Sequence, residues 1–296
     1  MAEAHTLVVA VIGCGTLGTS IAAGILDPVD KGNISVGRLI ATVATEQSQR
    51  RVKQELLQHS SKVTVLLHQE NRRAIEEADV VVVAAKPNKR RDILGAPGVR
   101  AALGGKLLIS IMAGVSIAEL RRVISGNEAQ ETCEMQLQLV RAMPNMAAKI
   151  RQGVTRITAD WDTLKEENVQ LSSWVFSQIG ELSLGAESTF DMSAVLVGCA
   201  GSLLLLVIDG LLDAAVMEGI KRSEAQDMVV RSAVGMLNLI PAGHHPSLLR
   251  EKIASPGGCS IRALVELERQ GVRSSFTDAI LAAAARSKDV SKAQSN

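Results

Sequence analysis

Short apolar runs alternate with amphipathic segments through the N-terminal part of the chain. The apolar runs, rich in β-branched residues, are Thr6–Ile12, Arg38–Val43, Val63–Leu67, Val80–Ala84 and Leu107–Ile111. The segments between them carry apolar residues at helical spacing, one side of each being polar. Apolar strands separated by helices are typical of a parallel sheet that is covered on both faces. The pattern therefore predicts an α/β fold with a doubly wound, Rossmann-type sheet.

The pattern changes after about residue 186. Three further strands are predicted before it, at Gln138–Arg141, Gly153–Thr158 and Glu181–Leu184. Beyond it, strand signals stop and the spacing of apolar residues predicts helices alone. The predicted helices are 190–219, 223–240, 247–253, 260–270 and 272–287. We therefore predict two domains, a sheet domain over 1–186 and an all-α domain over 187–296.

Three helix starts carry the capping-box pattern, in which a hydroxyl residue is followed three positions later by Glu or Gln. The pairs are Ser116 with Glu119, Thr163 with Glu166, and Ser223 with Gln226. Each pair predicts that the hydroxyl accepts a hydrogen bond from the first turn of the helix.

Several C-terminal helices are apolar around most of their circumference, as in Leu203–Met217. Such helices need cover on every side, and a small helical domain cannot provide it alone. The longest apolar run, Val195–Ile208, is shorter than the roughly 20 residues that a membrane span requires. We therefore expect a partner subunit, and no membrane, to cover these helices.

Composition excludes several classes of protein. The net charge is +1 with both signs interspersed, and there are three Phe, two Trp and no Tyr. This excludes a basic nucleic-acid footprint and any mechanism that depends on a catalytic tyrosine. The four cysteines lie far apart without metal-ligand spacing, which favours reduced thiols and no metal site. With no basic region before its first apolar run, the chain is expected to lack a signal peptide and to be cytoplasmic.

A Gly-x-Gly-x-x-Gly motif follows the first predicted strand, at Gly13–Gly18. Its glycines permit a tight turn, close approach of a pyrophosphate, and packing of helix against strand. The second strand ends without the carboxylate that favours NAD, and Thr45, Arg50 and Arg51 follow it. These residues favour the 2′-phosphate of NADP(H), while Glu46 leaves NAD(H) open.

A second motif, Ser255-Pro256-Gly257-Gly258-Cys259-Ser260, separates two predicted helices. Pro256 ends one helix, the glycine pair allows unusual backbone angles, and Ser260 lies where the next helix starts. Backbone N–H groups at a helix start, flanked by hydroxyls, form a receptor for a small carboxylate. An ordinary helix–helix connection has the same composition, so this segment alone leaves both interpretations open.

Together these motifs make the chain resemble the pyrroline-5-carboxylate reductase family. The shared segments are Gly13–Gly18, Ala85-Lys86-Pro87, Ile109–Val115, Arg141–Asn145, Asp209–Gly219, His245-Pro246, Ser255–Ile261 and Leu267–Arg273. The resemblance implies a Rossmann domain, a helical domain that interleaves with its partner in a homodimer, and an active site at the dimer interface. It leaves a higher homo-oligomer open.

The resemblance also implies the reaction and its residues. The reaction is NADPH-dependent hydride transfer to a cyclic imine carboxylate, from 1-pyrroline-5-carboxylate to L-proline or on a substituted analogue. The expected substrate residues are Ser255, Gly257, Gly258, Cys259 and Ser260, with Ser255 and Ser260 as the catalytic pair. The expected cofactor residues are Gly13, Gly15, Thr16, Leu17, Gly18, Thr45, Arg50, Arg51, Ala85, Lys86, Pro87, Ala113 and Asn145.

The chain departs from the family pattern in two places. Val195–Leu203 replaces a family segment that has two more hydroxyls, a proline and a tyrosine, and Cys259-Ser260 replaces Thr-Thr or Ala-Thr. These changes leave the exact imine open. They also keep two alternatives, a β-hydroxyacid-type dehydrogenase and an NADP-binding regulatory paralogue with altered catalysis.

Overall fold

The computed structural model describes residues 5–29, 34–126 and 137–295, so Cys133 lies outside it. The chain forms two compact units, Met1–Gly198 with Ala284–Asn296, and Cys199–Ala283. The predicted boundary at residue 186 falls where a long helix, Glu187–Met217, begins. Because that helix runs from the first unit into the second, the boundary stays a prediction.

The first unit is built on a single sheet. Its strands within the described residues are β1 (His5–Ile12), β2 (Ile34–Val43), β3 (Val63–Leu67), β4 (Val80–Val83), β5 (Leu107–Ser110), β6 (Gln138–Pro144), β7 (Gly153–Ala159) and β8 (Gly180–Leu184). Their order across the sheet is β3-β2-β1-β4-β5-β6-β7-β8. The first six are parallel, β7 is antiparallel to β6, and β8 is parallel to β7. The predicted Rossmann-type sheet is confirmed, since 3-2-1-4-5-6 is the dinucleotide-binding strand order.

Twelve helices accompany the strands in the described part of the chain. They are α1 (Thr16–Leu26), α2 (Glu46–Glu55), α3 (Asn71–Glu77), α4 (Arg90–Leu94), α5 (Val99–Ala102), α6 (Ile117–Ser125), α7 (Glu166–Ser177), α8 (Glu187–Met217), α9 (Arg222–Leu237), α10 (Pro246–Ile253), α11 (Cys259–Arg269) and α12 (Val272–Ser295). The predicted helical C-terminal region is confirmed.

Alternating side chains of the strands enter two cores, one on each face of the sheet. Val9 and Val11 of β1 belong to the core that α1 and α7 cover, whereas Ala10 and Ile12 belong to the core of α3, α4 and α6. All four side chains are at most 1 % exposed. Burial on both faces explains why most positions of these strands are apolar.

Only one of the three predicted N-cap hydrogen bonds forms. Ser116 caps α6 by accepting from the Glu119 N–H at 3.1 Å. The cap of α7 is Lys165, without a side-chain hydrogen bond, because Thr163 Oγ1 donates to the Asp160 carbonyl in the preceding turn. Helix α9 begins one residue before Ser223, at Arg222, so Ser223 cannot cap it. The last two predictions were wrong.

Helix α8 is longer than its apolar run indicated. By length and composition its 31 residues could cross a membrane, and only 11 % of its most apolar window is buried within the single chain. The expectation that this segment is too short for a span was therefore wrong. Within the second unit, exposed apolar side chains continue along α8 and α9: Leu204, Leu205, Leu206, Leu211, Val216, Met217, Met228 and Val234.

Candidate cofactor and substrate sites

The glycine-rich loop between β1 and α1 is fixed by short backbone hydrogen bonds. The Gly13 and Cys14 N–H groups donate to the Thr42 carbonyl of β2, at 3.1 and 2.7 Å, and the Gly15 N–H donates to the Gly13 carbonyl at 2.7 Å. Gly13 has a φ of +83°, and a Cβ there would lie 2.7 Å from Ala85 Cα. Only glycine fits this position, because both the backbone angle and the approach of the β4 loop exclude a side chain.

At Gly15, unlike Gly13, there is room for a side chain. A Cβ there would meet only the Gly13 carbonyl, at 3.9 Å, and the residue is exposed. Gly15 is the N-cap of α1, without a side-chain hydrogen bond and with no acidic residue in the first turn. The N–H groups of Thr16 and Leu17 lie in the first turn of α1, where they have no intrahelical acceptor and can bind an anion. The third glycine, Gly18, is buried, and a Cβ there would lie 3.2 Å from Val11 and Ala84 atoms.

Cys14 is the buried residue of the glycine loop, and its thiol is not reactive. Its side chain is 1 % exposed and its Sγ lies 3.5 Å from Thr19 Oγ1. Thr19 Oγ1 also donates to the Gly15 carbonyl at 2.7 Å. Burial raises the pKa of Cys14 to about 11, even though the Thr19 hydrogen bond acts in the opposite direction. The thiol is therefore neutral at physiological pH and serves packing.

The residues after β2 converge on the same loop, and the two arginines there have different partners. Thr45 caps α2 by accepting from the Ser48 N–H at 3.2 Å. Arg51 donates to the Cys14 carbonyl at 3.0 Å and pairs with Glu55 at 2.9 Å. Arg50 extends into solvent, 84 % exposed, with its nearest acid Glu46 at 4.0 Å. Arg51 thus braces the glycine loop, whereas Arg50 is available to a ligand.

The other predicted cofactor residues follow the carboxyl ends of neighbouring parallel strands. Ala85, Lys86 and Pro87 follow β4, Ala113 follows β5, and Asn145 follows β6. Asn145 Oδ1 accepts from the Val154 N–H at 3.3 Å, which ties this turn to β7. Since ligands of doubly wound sheets bind at the carboxyl edge, the fold brings these residues to one side of the sheet with the glycine loop.

In the second unit, the Ser255–Gly258 segment forms a tight turn ahead of α11. The Gly258 N–H donates to the Ser255 carbonyl at 3.0 Å, and Gly257 has a φ of +71°. Proline followed by a positive-φ glycine is the signature of a type II turn. A Cβ on Gly258 would lie 2.6 Å from Ser255 Oγ, so a side chain there would displace this hydroxyl.

Helix α11 opens with free anion-binding capacity. Gly258 is its N-cap without a side-chain hydrogen bond, and the first turn carries no acid. The N–H groups of Cys259 and Ser260 lie in that first turn, where helices leave donors without intrahelical partners. Both side chains are exposed in the single chain, as is Ser255. The turn therefore presents two hydroxyls and several backbone donors together.

An ion-pair network braces the helices around this turn. Glu268 of α11 accepts from Arg250 of α10 at 2.9 Å and also from Arg273 of α12. Hydrogen bonds from Arg273 lead the effects that hold the pKa of Glu268 below its ordinary value. The carboxylate thus remains charged and links the three helices at neutral pH. Within the described ranges, no group of three or more His, Cys, Asp or Glu side chains could hold a metal ion.

Sequence reasoning assigned no role to two buried arginines near the carboxyl edge. Arg90 and Arg141 are 4 % and 1 % exposed. Arg90 pairs with Glu119, while Arg141 pairs with Glu187 and Asp191 of α8 and stacks over Phe190 at 4.2 Å. Arg141 falls within a family-like motif, but a single buried arginine in a strand carries no sequence signal for its partners.

Two family models match the chain. The model described as "Pyrroline-5-carboxylate reductase dimerisation" covers residues 187–290. The model described as "NADP oxidoreductase coenzyme F420-dependent" covers residues 8–114. The first match begins at the start of α8 and covers the helical C-terminal region. The second runs from β1 into the loop that follows β5.

Two solved structures share the fold over almost the whole chain. A pyrroline carboxylate reductase from Plasmodium falciparum, solved with NADP bound, superposes with a TM-score of 0.78 at 22 % identity, covering 96 % of this chain and 98 % of that one. A 1-pyrroline-5-carboxylate reductase from Streptococcus pyogenes gives 0.79 at 24 % identity, covering 96 % and 99 %.

Two curated relatives are more similar to this chain in sequence than these two structures are. A pyrroline-5-carboxylate reductase of Lophium arboricola is 34 % identical over 297 residues, covering 94 % of this chain and 91 % of the relative. One from Neurospora crassa is 32 % identical, covering 93 % and 90 %. Identity at this level, over nearly the full length of both proteins, places the chain in one family with them. The chain belongs to the pyrroline-5-carboxylate reductase family.

Proposed function

We propose that this protein reduces 1-pyrroline-5-carboxylate to L-proline with NADPH. The observation that carries the proposal is the family relationship across 94 % of the chain, at 34 % identity to a relative named for that activity. Two features of the structure support it: the glycine loop that opens α1 and the Ser255–Ser260 segment that opens α11. The protein is accordingly an oxidoreductase that acts on a carbon–nitrogen bond.

The glycine loop fits a dinucleotide. The open space at Gly15, the absence of a side-chain cap on α1 and the lack of acid in its first turn leave that helix start free for a pyrophosphate. Thr45 and Arg50 would hold the 2′-phosphate of NADP(H), and the loops of Lys86, Ala113 and Asn145 would line the nicotinamide side. When bound, NADPH supplies the hydride.

The Ser255–Ser260 turn fits the substrate carboxylate. The backbone donors of Cys259 and Ser260 and the Ser255 hydroxyl would hold it, and the Ser260 hydroxyl oxygen would accept a hydrogen bond from the protonated ring nitrogen. A cyclic imine enters readily in its protonated form, so the protein needs no acid of unusual pKa. Its task is to orient the imine carbon and to favour the iminium form.

The two arginines after β2 lead to a prediction on cofactor preference. Replacing exposed Arg50 by Ala should raise the KM for NADPH about tenfold, equivalent to about 1.4 kcal/mol, and leave the KM for NADH unchanged. Arg51→Ala is the matched comparison. It removes the contact with the Cys14 carbonyl, so it should weaken both cofactors. Steady-state kinetics measure both. An equal change for NADPH and NADH in Arg50→Ala would contradict the assignment of the 2′-phosphate.

Assembly follows from the dimerisation model that matches residues 187–290. We propose that a second copy covers the exposed leucines of α8, with the C-terminal helices of the two subunits interleaved. Apolar side chains such as Leu205 and Leu206, each 68 % exposed, gain most from such cover. We also propose a cytoplasmic location, since Cys14, Cys199 and Cys259 are unpaired thiols.

A substrate panel tests the function against its alternatives. NADPH consumption is followed with 1-pyrroline-5-carboxylate and then with a 2-keto acid, and NADPH formation is followed with a β-hydroxy acid and NADP. We expect turnover with the imine alone. Turnover of the hydroxy acid alone would favour a β-hydroxyacid-type dehydrogenase, and NADPH binding without any turnover would favour a regulatory paralogue.

A further inference from the structure

A buried ion pair joins α4 to α6, which are the first α-helices after β4 and after β5. Arg90, the first residue of α4, donates from Nε to Glu119 Oε1 at 3.0 Å and from Nη1 to the Pro87 carbonyl at 3.2 Å. The Arg90 and Glu119 side chains are 4 % and 11 % exposed. One guanidinium therefore holds the Lys86-Pro87 turn and reaches across to α6.

The Glu119 end of the pair is equally fixed. Glu119 lies in the first turn of α6, where its N–H donates to the Ser116 cap. Its Oε2 accepts from Arg122 at 2.6 Å, leaving Oε1 for Arg90. Burial acts to raise the pKa of Glu119, but the hydrogen bonds from Arg122 and Arg90 outweigh it and hold the pKa below its ordinary value. The carboxylate is thus charged at neutral pH.

The ion pair lies next to two loops that are expected to contact the cofactor. β4 and β5 are adjacent parallel strands, and the loops that leave them carry Pro87 and Ala113 to the cofactor edge of the sheet. A buried ion pair contributes little net stability compared with apolar packing, whereas its directional hydrogen bonds specify geometry. The pair ties the start of α4 to the first turn of α6, the helices that follow these two loops.

We propose that Arg90 and Glu119 are positioning residues for hydride transfer, which act by fixing the loops of Pro87 and Ala113. This inference rests on the proposed function. Neither side chain is placed against the cofactor or the substrate, so neither is a catalytic residue. Their loss should disturb the alignment of the nicotinamide more than the affinity for the pyrophosphate, which the glycine loop binds independently.

The test uses Arg90→Met, which keeps the aliphatic length and removes the donors. Its matched control is Arg91→Met, an exposed neighbour on the same helix. We expect Arg90→Met to lower kcat about tenfold. A displacement of the reacting groups by about 1 Å lowers the reaction rate by up to about a hundredfold, and the loss of this pair should shift them by less. We also expect a larger isotope effect on kcat with NADPH deuterated at the transferred position. Arg91→Met should change neither quantity. A purely structural role would reduce the amount of active enzyme and leave the isotope effect unchanged.

Two further variants keep the proposal testable if Arg90→Met does not fold. Arg90→Lys retains the charge but cannot reach both partners, and Glu119→Gln retains the shape but loses the charge. Each should show a raised isotope effect, smaller than that of Arg90→Met. Wild-type kcat and isotope effect in folded Arg90 and Glu119 variants would overturn the proposal. An inactive wild-type protein would instead overturn the proposed function, a result that the same panel distinguishes.

Discussion

Gly15→Asp should abolish NADPH binding while the protein remains folded. The position is exposed, and a Cβ there meets only the Gly13 carbonyl at 3.9 Å, so a side chain fits without displacing the loop. The added carboxylate, however, occupies the open helix start of α1, where the pyrophosphate would bind. Like charges in direct contact at a site built from N–H donors oppose binding by several kcal/mol. Titration by NADPH fluorescence measures the loss.

A control variant separates the local effect from the added charge. Ser60→Asp places the same charge at an exposed turn after α2 and should bind NADPH normally. Both variants should unfold at the wild-type temperature. Unchanged NADPH affinity in Gly15→Asp would show that the glycine loop is not the pyrophosphate site.

Ser260→Ala should lower kcat/KM for the imine by one to three orders of magnitude, equivalent to roughly 1.4–4 kcal/mol. The reason is the loss of one hydrogen bond from the reacting nitrogen to the serine oxygen, a bond that favours the protonated, electrophilic form of the imine. NADPH affinity should be unchanged, since the glycine loop lies in the other compact unit. Steady-state kinetics with the imine as the varied substrate measure the effect.

The chain offers a matched control for this variant. Ser247 is the second residue of α10, as Ser260 is of α11, and it is likewise exposed. Ser247→Ala should keep wild-type kinetics, and Ser260→Thr should keep activity because it retains the hydroxyl. Full activity in Ser260→Ala, or proline bound away from Ser255–Ser260 in a crystal soak, would reject this turn as the substrate site.

The sheet could be predicted closely because its strands are buried on both faces. The bounds predicted for β3, Val63–Leu67, are those observed. The strand predicted at Val80–Ala84 ends one residue beyond the observed end of β4 at Val83. β2 begins at Ile34, four residues before the predicted start at Arg38. Its first part carries Gly37 and Arg38 and is only partly buried, so the apolar signal there is weak.

Helix caps were less predictable, because a hydroxyl can satisfy its hydrogen bond in another local turn. Thr163 is the example: its hydroxyl donates to the Asp160 carbonyl, and α7 begins after Lys165. Ser116 forms the predicted cap, but Glu119 completes no capping box, since its carboxylate is held by Arg90 and Arg122. Tertiary ion pairs of this kind outweigh a local preference.

The motifs of both candidate sites are local, and for that reason their turns could be predicted from the sequence. The glycine loop and the Ser255–Ser260 turn each depend on a few consecutive residues with required backbone angles. Contacts between distant residues could not be predicted, as with Arg51 and the Cys14 carbonyl or Arg90 and Glu119. These pairs are 37 and 29 positions apart and depend on how the loops meet at the sheet edge.

The most direct test of the account is to identify the product and the origin of its new hydrogen. The wild-type protein is incubated with 1-pyrroline-5-carboxylate and NADPH deuterated at the transferred position, and the product is examined by mass spectrometry. The account predicts L-proline that carries the deuterium on the former imine carbon, formed in equal amount to the NADPH oxidised. NADPH oxidation without labelled proline, or no reaction with this imine while another substrate is reduced, would contradict it.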